Sequence, residues 1–158
     1  MSLVTHTWKS VSISSVAIWI QKIISLSAKP RGFHLITDEI TRQAPEIHYV
    51  SIGLVNIFIQ HTSASITINE NADPTVRKDM ETHLNRSIPE GPEHYLHNYE
   101  GDDDMPAHIK SSLLGSQITL PINDGQLALG TWQGIYLGEH RDSGGSRKLV
   151  ITINGQEK

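Results

Sequence analysis

The chain has 158 residues, which is enough for one domain with its own hydrophobic core. A net charge of −4 at pH 7 gives no reason to expect nucleic acid or an acidic membrane surface as a partner. The absence of cysteine excludes disulfides, a thiolate nucleophile and a cysteine-type zinc site, and no stretch is long and apolar enough to span a membrane.

The first 18 residues differ in composition from the rest of the chain. They are rich in Ser and Thr, and Lys9 is their only charged side chain. Val11 and Ile13 alternate with serines, which predicts an N-terminal extension or extra strand at 1–18 and a single domain at 19–158. A targeting leader stays open, although this segment has no arginine and no A-x-A-like cleavage site. We expect a cytoplasmic protein.

The predicted strands follow from alternating and β-branched runs. They lie at 19–26, 53–61, 63–68, 117–122, 126–129, 131–137 and 149–153. The segment 33–43 fits a strand running into a short helix, and the pattern does not decide between the two. Asn123-Asp124-Gly125 predicts a hairpin turn.

The apolar face changes parity between two of these strands. The buried positions are odd-numbered up to His61, whereas Ala64 and Ile66 continue the pattern on even numbers. A shift of one residue implies a bulge or tight bend near Thr62 and Ser63. His61 therefore ends a buried face at a local break, a place where active-site residues are common.

Two helices are predicted in the middle of the chain. Asp73 is the expected N-cap of the first helix, and Pro74 is its first helical residue. Val76, Met80 and Leu84 follow at helical spacing and form an apolar stripe. Its exposed face would carry Arg77, Lys78, Asp79 and Glu81. The second begins near Asp104, carries Ile109 and Leu113, and stops at Gly115. The order of strands, two helices and strands predicts an α+β fold with a mostly antiparallel β-sheet core.

Histidines and carboxylates are concentrated between residues 97 and 108. Imidazole nitrogen and carboxylate oxygen are the usual ligands of zinc, manganese and related divalent ions. We expect His97, Asp103 and His108 to bind a divalent metal ion, either zinc or magnesium/manganese. The structural alternative is that Asp104 caps the helix and pairs with His108 one turn later.

Other candidate site residues lie outside this segment. We expect His61 to share one pocket with His97 and His108, with Asp103 near it. Ser63 and His61 do not form a nucleophile relay, because residues two apart on a strand are poorly placed for it. The glycine-rich segment between Arg141 and Arg147 can hold an anion through Gly144, Gly145, Ser146 and the two arginines. The alternatives are a hydrogen-bonded core histidine at 61 and a glycine hairpin with two solvated arginines.

The sequence resembles the YjbQ family. The resemblance rests on QHTSASITINENADPTVRKD at 60–79, YLHNYEGDDDMPAHIKSSLLG at 95–115, LALGTWQGIYLGEHR at 127–141 and GGSRKLVITING at 144–155. It runs from about Trp19 to the end of the chain, and the motifs HTSA, DDMPAH and GTWQ in this order are highly specific. Asp102 stands where the family often has a non-acidic residue, so Asp103 and Asp104 are the matched pair.

This resemblance implies a compact, sheet-rich α+β fold, a homotrimer and a weak thiamine-phosphate-synthase activity. That reaction joins a pyrimidine methyl diphosphate to a thiazole phosphate and releases pyrophosphate. In the resulting enzyme hypothesis His61, Glu70 and Asp103 are catalytic, Arg141 and Arg147 hold phosphate, and a cation stabilises the departing pyrophosphate. The alternative is a non-catalytic trimer that binds a metal or a small anionic metabolite.

Overall fold

Two antiparallel sheets form the framework of the protein, and a computed structural model describes residues 16–158. The strand expected around Val11 and Ile13 lies outside the described residues. In chain order the elements are β1 (Ala17–Leu26), β2 (Gly32–Leu35), α1 (Thr37–Gln43), a short 3-10 helix (Pro45–Tyr49), β3 (Val50–Ile59), β4 (Ala64–Glu70), α2 (Pro74–Ser87), α3 (Asp104–Leu114), β5 (Gln117–Asn123), β6 (Gln126–Leu127), β7 (Gln133–Glu139) and β8 (Arg147–Glu157).

The larger sheet has the strand order β1-β8-β3-β5-β6, and the smaller has the order β2-β7-β4. Every strand pair is antiparallel, and three α-helices lie within the described residues, so the predicted α+β class is confirmed. One cluster of buried aliphatic side chains from both sheets forms the core; it includes Ile24, Val55, Ile57, Ile66, Leu137 and Ile151. None of the helices in residues 16–158 is long and apolar enough to cross a membrane.

The change of parity near residue 62 marks the passage between the two sheets. β3 belongs to the larger sheet and ends at Ile59, whereas β4 belongs to the smaller sheet and begins at Ala64. Each strand points its apolar residues at the same core from the opposite side, which is why the buried positions change from odd to even. His61 lies in this crossing.

The segment 33–43, left open between strand and helix, forms both β2 and α1. Asp73 caps α2 as predicted, since its side chain accepts a hydrogen bond of 2.8 Å from the backbone N–H of Thr75. The predicted exposed face of α2 is wrong for Arg77 and Glu81, which are half-buried. Glu81 pairs with Arg31 of the turn before β2, and Arg77 stacks on the ring of Tyr136.

The apolar stripe predicted for α3 is also wrong. Leu113 is 70% exposed, whereas Lys110 and Ser111 are buried. Ser111 donates a hydrogen bond of 2.8 Å to the carbonyl of Ala64, and Lys110 donates one of 2.6 Å to the side chain of Asn85 in α2. The buried face of the helix therefore combines Pro106 and Ala107 with polar residues whose partners lie elsewhere in the chain, and a search for apolar periodicity does not detect such a face.

Candidate metal site

The carboxylate of Asp104, at the first position of α3, is the centre of the candidate site. The residue is only 2% exposed. Its Oδ1 accepts a hydrogen bond from Nη1 of Arg141, while its Oδ2 lies 2.8 Å from Nε2 of His97 and 3.3 Å from Nε2 of His108. One ligand atom each from His97, Asp104 and His108 lie within 4.8 Å of one another, close enough to hold a single metal ion.

Different local features position the two imidazoles. His108 lies one helical turn after Asp104 on α3, so both side chains project from the same face. His97 comes from the loop that precedes α3, and its ring packs edge-on against Tyr99 with 5.0 Å between the ring centroids. The rings of His97 and His108 are themselves 5.6 Å apart. His97 lies seven residues before Asp104 and His108 lies four residues after it, so the loop and the helix bring the three side chains together.

The ring of His108 is oriented by the backbone. Its Nδ1 lies 3.0 Å from the carbonyl oxygen of Thr62, which only accepts, so Nδ1 carries the proton and donates. In a neutral ring, Nε2 then holds a lone pair that faces Oδ2 of Asp104. A lone pair and a carboxylate oxygen repel each other, so this arrangement requires either a second proton on the ring or a cation between the two atoms. A carbonyl that holds the remote nitrogen is also the usual support of a metal-binding histidine.

The structure places Asp104, and not Asp103, between the histidines. Asp103 accepts hydrogen bonds of 3.0 Å from Nε of Arg141 and 2.9 Å from the backbone N–H of Asp142. Burial acts to raise the pKa of Asp103, but these two donors outweigh it and the pKa is lowered. Asp103 therefore holds Arg141 in place, and Arg141 in turn holds Asp104.

His61 shares a cavity of about 440 Å³ with His108, Thr62 and Ser111, among others. Its Nε2 accepts a hydrogen bond of 2.8 Å from the backbone N–H of Lys148. Burial, together with the nearby charge of Arg147, lowers the pKa of His61, which keeps the ring neutral. The predicted pocket of three histidines is thus divided, since His97 lies on the metal site and His61 on the adjoining cavity.

Glu70 is not brought to this site. Glu70 is the last residue of β4, whereas His61 and Thr62 come just before its first residue. The strand has seven residues in extended conformation, so its two ends lie roughly 20 Å apart. Glu70 instead lines a separate cavity of about 510 Å³ with Asn69 and Trp132. Within one chain it cannot act together with the histidines.

The loop predicted to bind phosphate is turned inward, and the alternative of a glycine hairpin with two solvated arginines is wrong for Arg147. Arg147 is 4% exposed and makes two hydrogen bonds to the buried carboxylate of Glu139, at 2.7 and 2.6 Å. A Cβ atom at Gly144 would overlap both partners, so this position requires glycine. Ser146 donates to the carbonyl of Leu26, 2.6 Å away. The loop with Gly144, Gly145 and Ser146 therefore closes over a buried ion pair.

A buried pair of polar residues was missed by the sequence analysis. Ser65 Oγ lies 2.9 Å from Nε2 of His140, and neither residue is exposed to solvent. Burial, reinforced by the charges of Lys110 and Arg31, lowers the pKa of His140 to about 3. Every residue of β7 from Gly134 to Glu139 is buried, so the strand has no alternation that would show where the polar face lies.

Comparison with known proteins gives consistent matches over most of the chain. A family model described as UPF0047 protein YjbQ-like matches residues 22–156. The UPF0047 protein YjbQ of Escherichia coli O157:H7 is 55% identical over 139 residues, covering 88% of this chain and all of the relative. The UPF0047 protein YugU of Bacillus subtilis is 43% identical over 107 residues, covering 67% of this chain and 77% of the relative.

Solved structures give the same result. A conserved protein of the yjbq/upf0047 family from Clostridium acetobutylicum superposes with a TM-score of 0.72 at 39% identity, covering 84% of this chain and 98% of the other. A YbjQ-like protein from Sulfolobus solfataricus gives a TM-score of 0.74 at 25% identity, covering 89% and 99%.

The buried ion pair predicts a large loss of stability on truncation. Arg147→Ala leaves the Glu139 carboxylate buried without its partner, which should cost about 3–5 kcal/mol of unfolding free energy. Chemical denaturation measures this, with Arg42→Ala as a control because Arg42 is exposed on α1. An Arg147→Ala protein as stable as the control would show that the pair is unimportant for the fold.

Stability should also fall as the pH is lowered, because the folded state resists protonation of His140. In the unfolded chain His140 binds a proton below about pH 6.5, whereas in the folded chain it does so only near pH 3. The free energy of unfolding therefore decreases as the pH falls from about 6.5 towards 3. Between pH 7 and pH 5 the loss from His140 should be about 2 kcal/mol. Denaturation of the wild type and of His140→Gln at both pH values tests this. His61 contributes in the same direction in both proteins, so an equal loss in the two would contradict the role of His140.

Proposed function

The chain belongs to the YjbQ-like UPF0047 family, as its resemblance predicted, and we propose that it is a metal-dependent enzyme acting on a small phosphorylated substrate. The observation that carries the proposal is the position of His108, whose Nε2 faces Asp104 while its Nδ1 donates to Thr62. The lone pair on Nε2 of His108 faces the carboxylate of Asp104, and His97 contacts the same carboxylate oxygen. A cation bound between these atoms would stabilise the arrangement.

The donor set fits a divalent ion. Two imidazole nitrogens and one carboxylate oxygen suit zinc, manganese or iron, and three protein ligands leave positions open, as in catalytic sites. A bound cation would stabilise the negative charge on a departing pyrophosphate. The protein's own residues orient the site, because Thr62 fixes the ring of His108 and Arg141 fixes the carboxylate of Asp104.

We place the substrate in the cavity next to His108. Its volume of about 440 Å³ is in the range of small-molecule sites. Thr62, Ser111, Ser112 and Ser116 line it. The hydroxyls of Ser111 and Ser112 donate to the carbonyls of Ala64 and His108, so they can only accept from a ligand, whereas those of Thr62 and Ser116 can donate to phosphate oxygens or heterocycle nitrogens. The reaction proposed is the one the resemblance implies, in which a pyrimidine methyl diphosphate is joined to a thiazole phosphate with release of pyrophosphate. The cytoplasmic location remains a prediction.

A second candidate is a metal-binding protein without catalytic activity. It is favoured by the pairing of Arg147 with Glu139, which removes one of the two arginines expected to hold phosphate. Arg141 is similarly engaged with Asp103 and Asp104. The two candidates share the metal site and differ in whether the substrates are turned over.

We also propose that the protein is a homotrimer and that the outer face of the five-stranded sheet contacts another copy. Two rows of neighbouring residues cross this face, Ile23-Val150-Phe58 and Trp19-Asn154-Leu54. Trp19 is 74% exposed and Ile23 62%. Apolar side chains gathered on one sheet face are typical of a protein interface. The number of copies comes from the family resemblance alone.

Metal binding should depend on the two histidines. Protein purified without chelator should contain about one divalent ion per chain, since His97, Asp104 and His108 form one site. His97→Ala and His108→Ala should each weaken zinc or manganese binding at least about 100-fold, because even residues that only support ligands contribute 10–100-fold. Isothermal titration of the metal-depleted proteins measures this.

His94→Ala is the control, since His94 is a half-exposed histidine of the same loop that pairs with Glu93. The proposed ligands would be contradicted if His97→Ala, His108→Ala and His94→Ala weakened metal binding equally. They would also be contradicted if none of the three variants weakened it. If the metal binds but the pyrimidine diphosphate and thiazole phosphate are not converted, the non-catalytic candidate is favoured.

A charge on the outer sheet face should dissociate the trimer. Leu54→Lys places a cation among apolar residues of the proposed interface, and sedimentation at micromolar concentration should then show monomers. Leu113→Lys is the matched control, because Leu113 is an exposed leucine of α3. A wild-type monomer, or a Leu54→Lys trimer, would contradict this interface.

A further inference from the structure

A cavity of about 540 Å³ lies between α2 and β2, and it shares no lining residue with the cavity next to His108. We call it the α2–β2 cavity. Phe33 and Pro74 supply its apolar walls, and Arg77, Lys78 and Glu81 of α2 supply charged groups. These side chains belong to two elements that pack against each other, so the cavity is part of the framework and not of a loop.

Two cations on this wall form no salt bridge with a described residue. Within residues 16–158 no carboxylate lies within 4.0 Å of either Arg77 or Lys78. The guanidinium of Arg77 is held over the ring of Tyr136, 5.9 Å from its centroid. Its Nη1 is shielded from solvent and finds no acceptor among the described residues. This shielded nitrogen is a donor that an added anion could satisfy, and a shielded donor left without an acceptor is costly.

An acceptor lies one helical turn from this cation. Oε1 of Glu81 is taken by Arg31 at 3.1 Å and by Asn85 at 2.9 Å. Its Oε2 is buried and has no donor in the described part of the chain. The same wall therefore offers hydrogen-bond donors with positive charge beside a free carboxylate oxygen. A ligand that satisfies both must carry an anionic group next to an N–H donor.

We infer that the α2–β2 cavity binds a small phosphate ester that carries an amino group. Two cations that line one cavity match a phosphate, which has up to two charges and three acceptor oxygens, better than a carboxylate. The amino group would donate to Oε2 of Glu81. This site is separate from the metal site, and it does not require that the proposed reaction take place.

Titration calorimetry with two simple probes tests the inference on metal-depleted protein. O-phosphoethanolamine carries both groups, whereas ethyl phosphate carries only the phosphate. The wild type should bind phosphoethanolamine more tightly than ethyl phosphate. Arg77→Gln should weaken both probes at least tenfold, and Lys78→Gln, an exposed position with little influence on folding, should weaken both several-fold. Glu81→Gln should abolish the preference between the probes.

Arg86→Gln is the control, because it removes the same charge from an exposed position of α2. It should change neither affinity by more than about twofold, as expected for a distant surface charge. Equal affinities for Arg77→Gln and Arg86→Gln, or no binding of either probe to the wild type at millimolar concentration, would overturn the inference. A lower melting temperature of Arg77→Gln with unchanged binding would show that Arg77 serves only to stack on Tyr136.

Discussion

The buried carboxylate of Asp104 is the interaction on which the rest of the site depends. It joins three separate parts of the chain, because it contacts His97 of the loop before α3, His108 of the helix and Arg141 of the β7–β8 connection. His108 adds a fourth through its contact with the carbonyl of Thr62 between β3 and β4. A carboxylate taken out of water must be compensated by charge and hydrogen bonds. Here the guanidinium of Arg141 provides that compensation directly, and a cation between the carboxylate and the two imidazoles would add to it.

Both arginines of the β7–β8 connection are paired with carboxylates of the protein, and this decides which arginines can bind a ligand. Glu139 and Arg147 pair at the base of the connection, and Arg141 pairs with Asp103 and Asp104 at its tip. Both arginines therefore position other protein groups. Arg77 and Lys78 of α2, by contrast, have no carboxylate within 4.0 Å among the described residues. The two proposed sites are therefore separate, the metal site at α3 and the anion site at α2.

Apolar periodicity predicted much of the fold and little of the site. The strands around Val55 and Ile66 and the cap at Asp73 were predicted because alternation and capping are local signals. The buried face of α3 was predicted wrongly because Lys110 and Ser111 are satisfied by partners distant in sequence, Asn85 and Ala64. Pairings of this kind leave no periodic pattern in the sequence. The choice of Asp104 over Asp103 did have a local signal, since Asp104 lies four residues before His108 on α3 and this pairing was the stated alternative.

We propose that His97, Asp104 and His108 are ligands of one divalent ion. Anomalous diffraction at the zinc edge, on crystals of the zinc-loaded protein, would locate this ion. We expect one peak per chain at roughly 2.0–2.2 Å from Nε2 of His97, Nε2 of His108 and Oδ2 of Asp104. No peak at this position, or a peak held by Asp103 or by surface histidines instead, would contradict it.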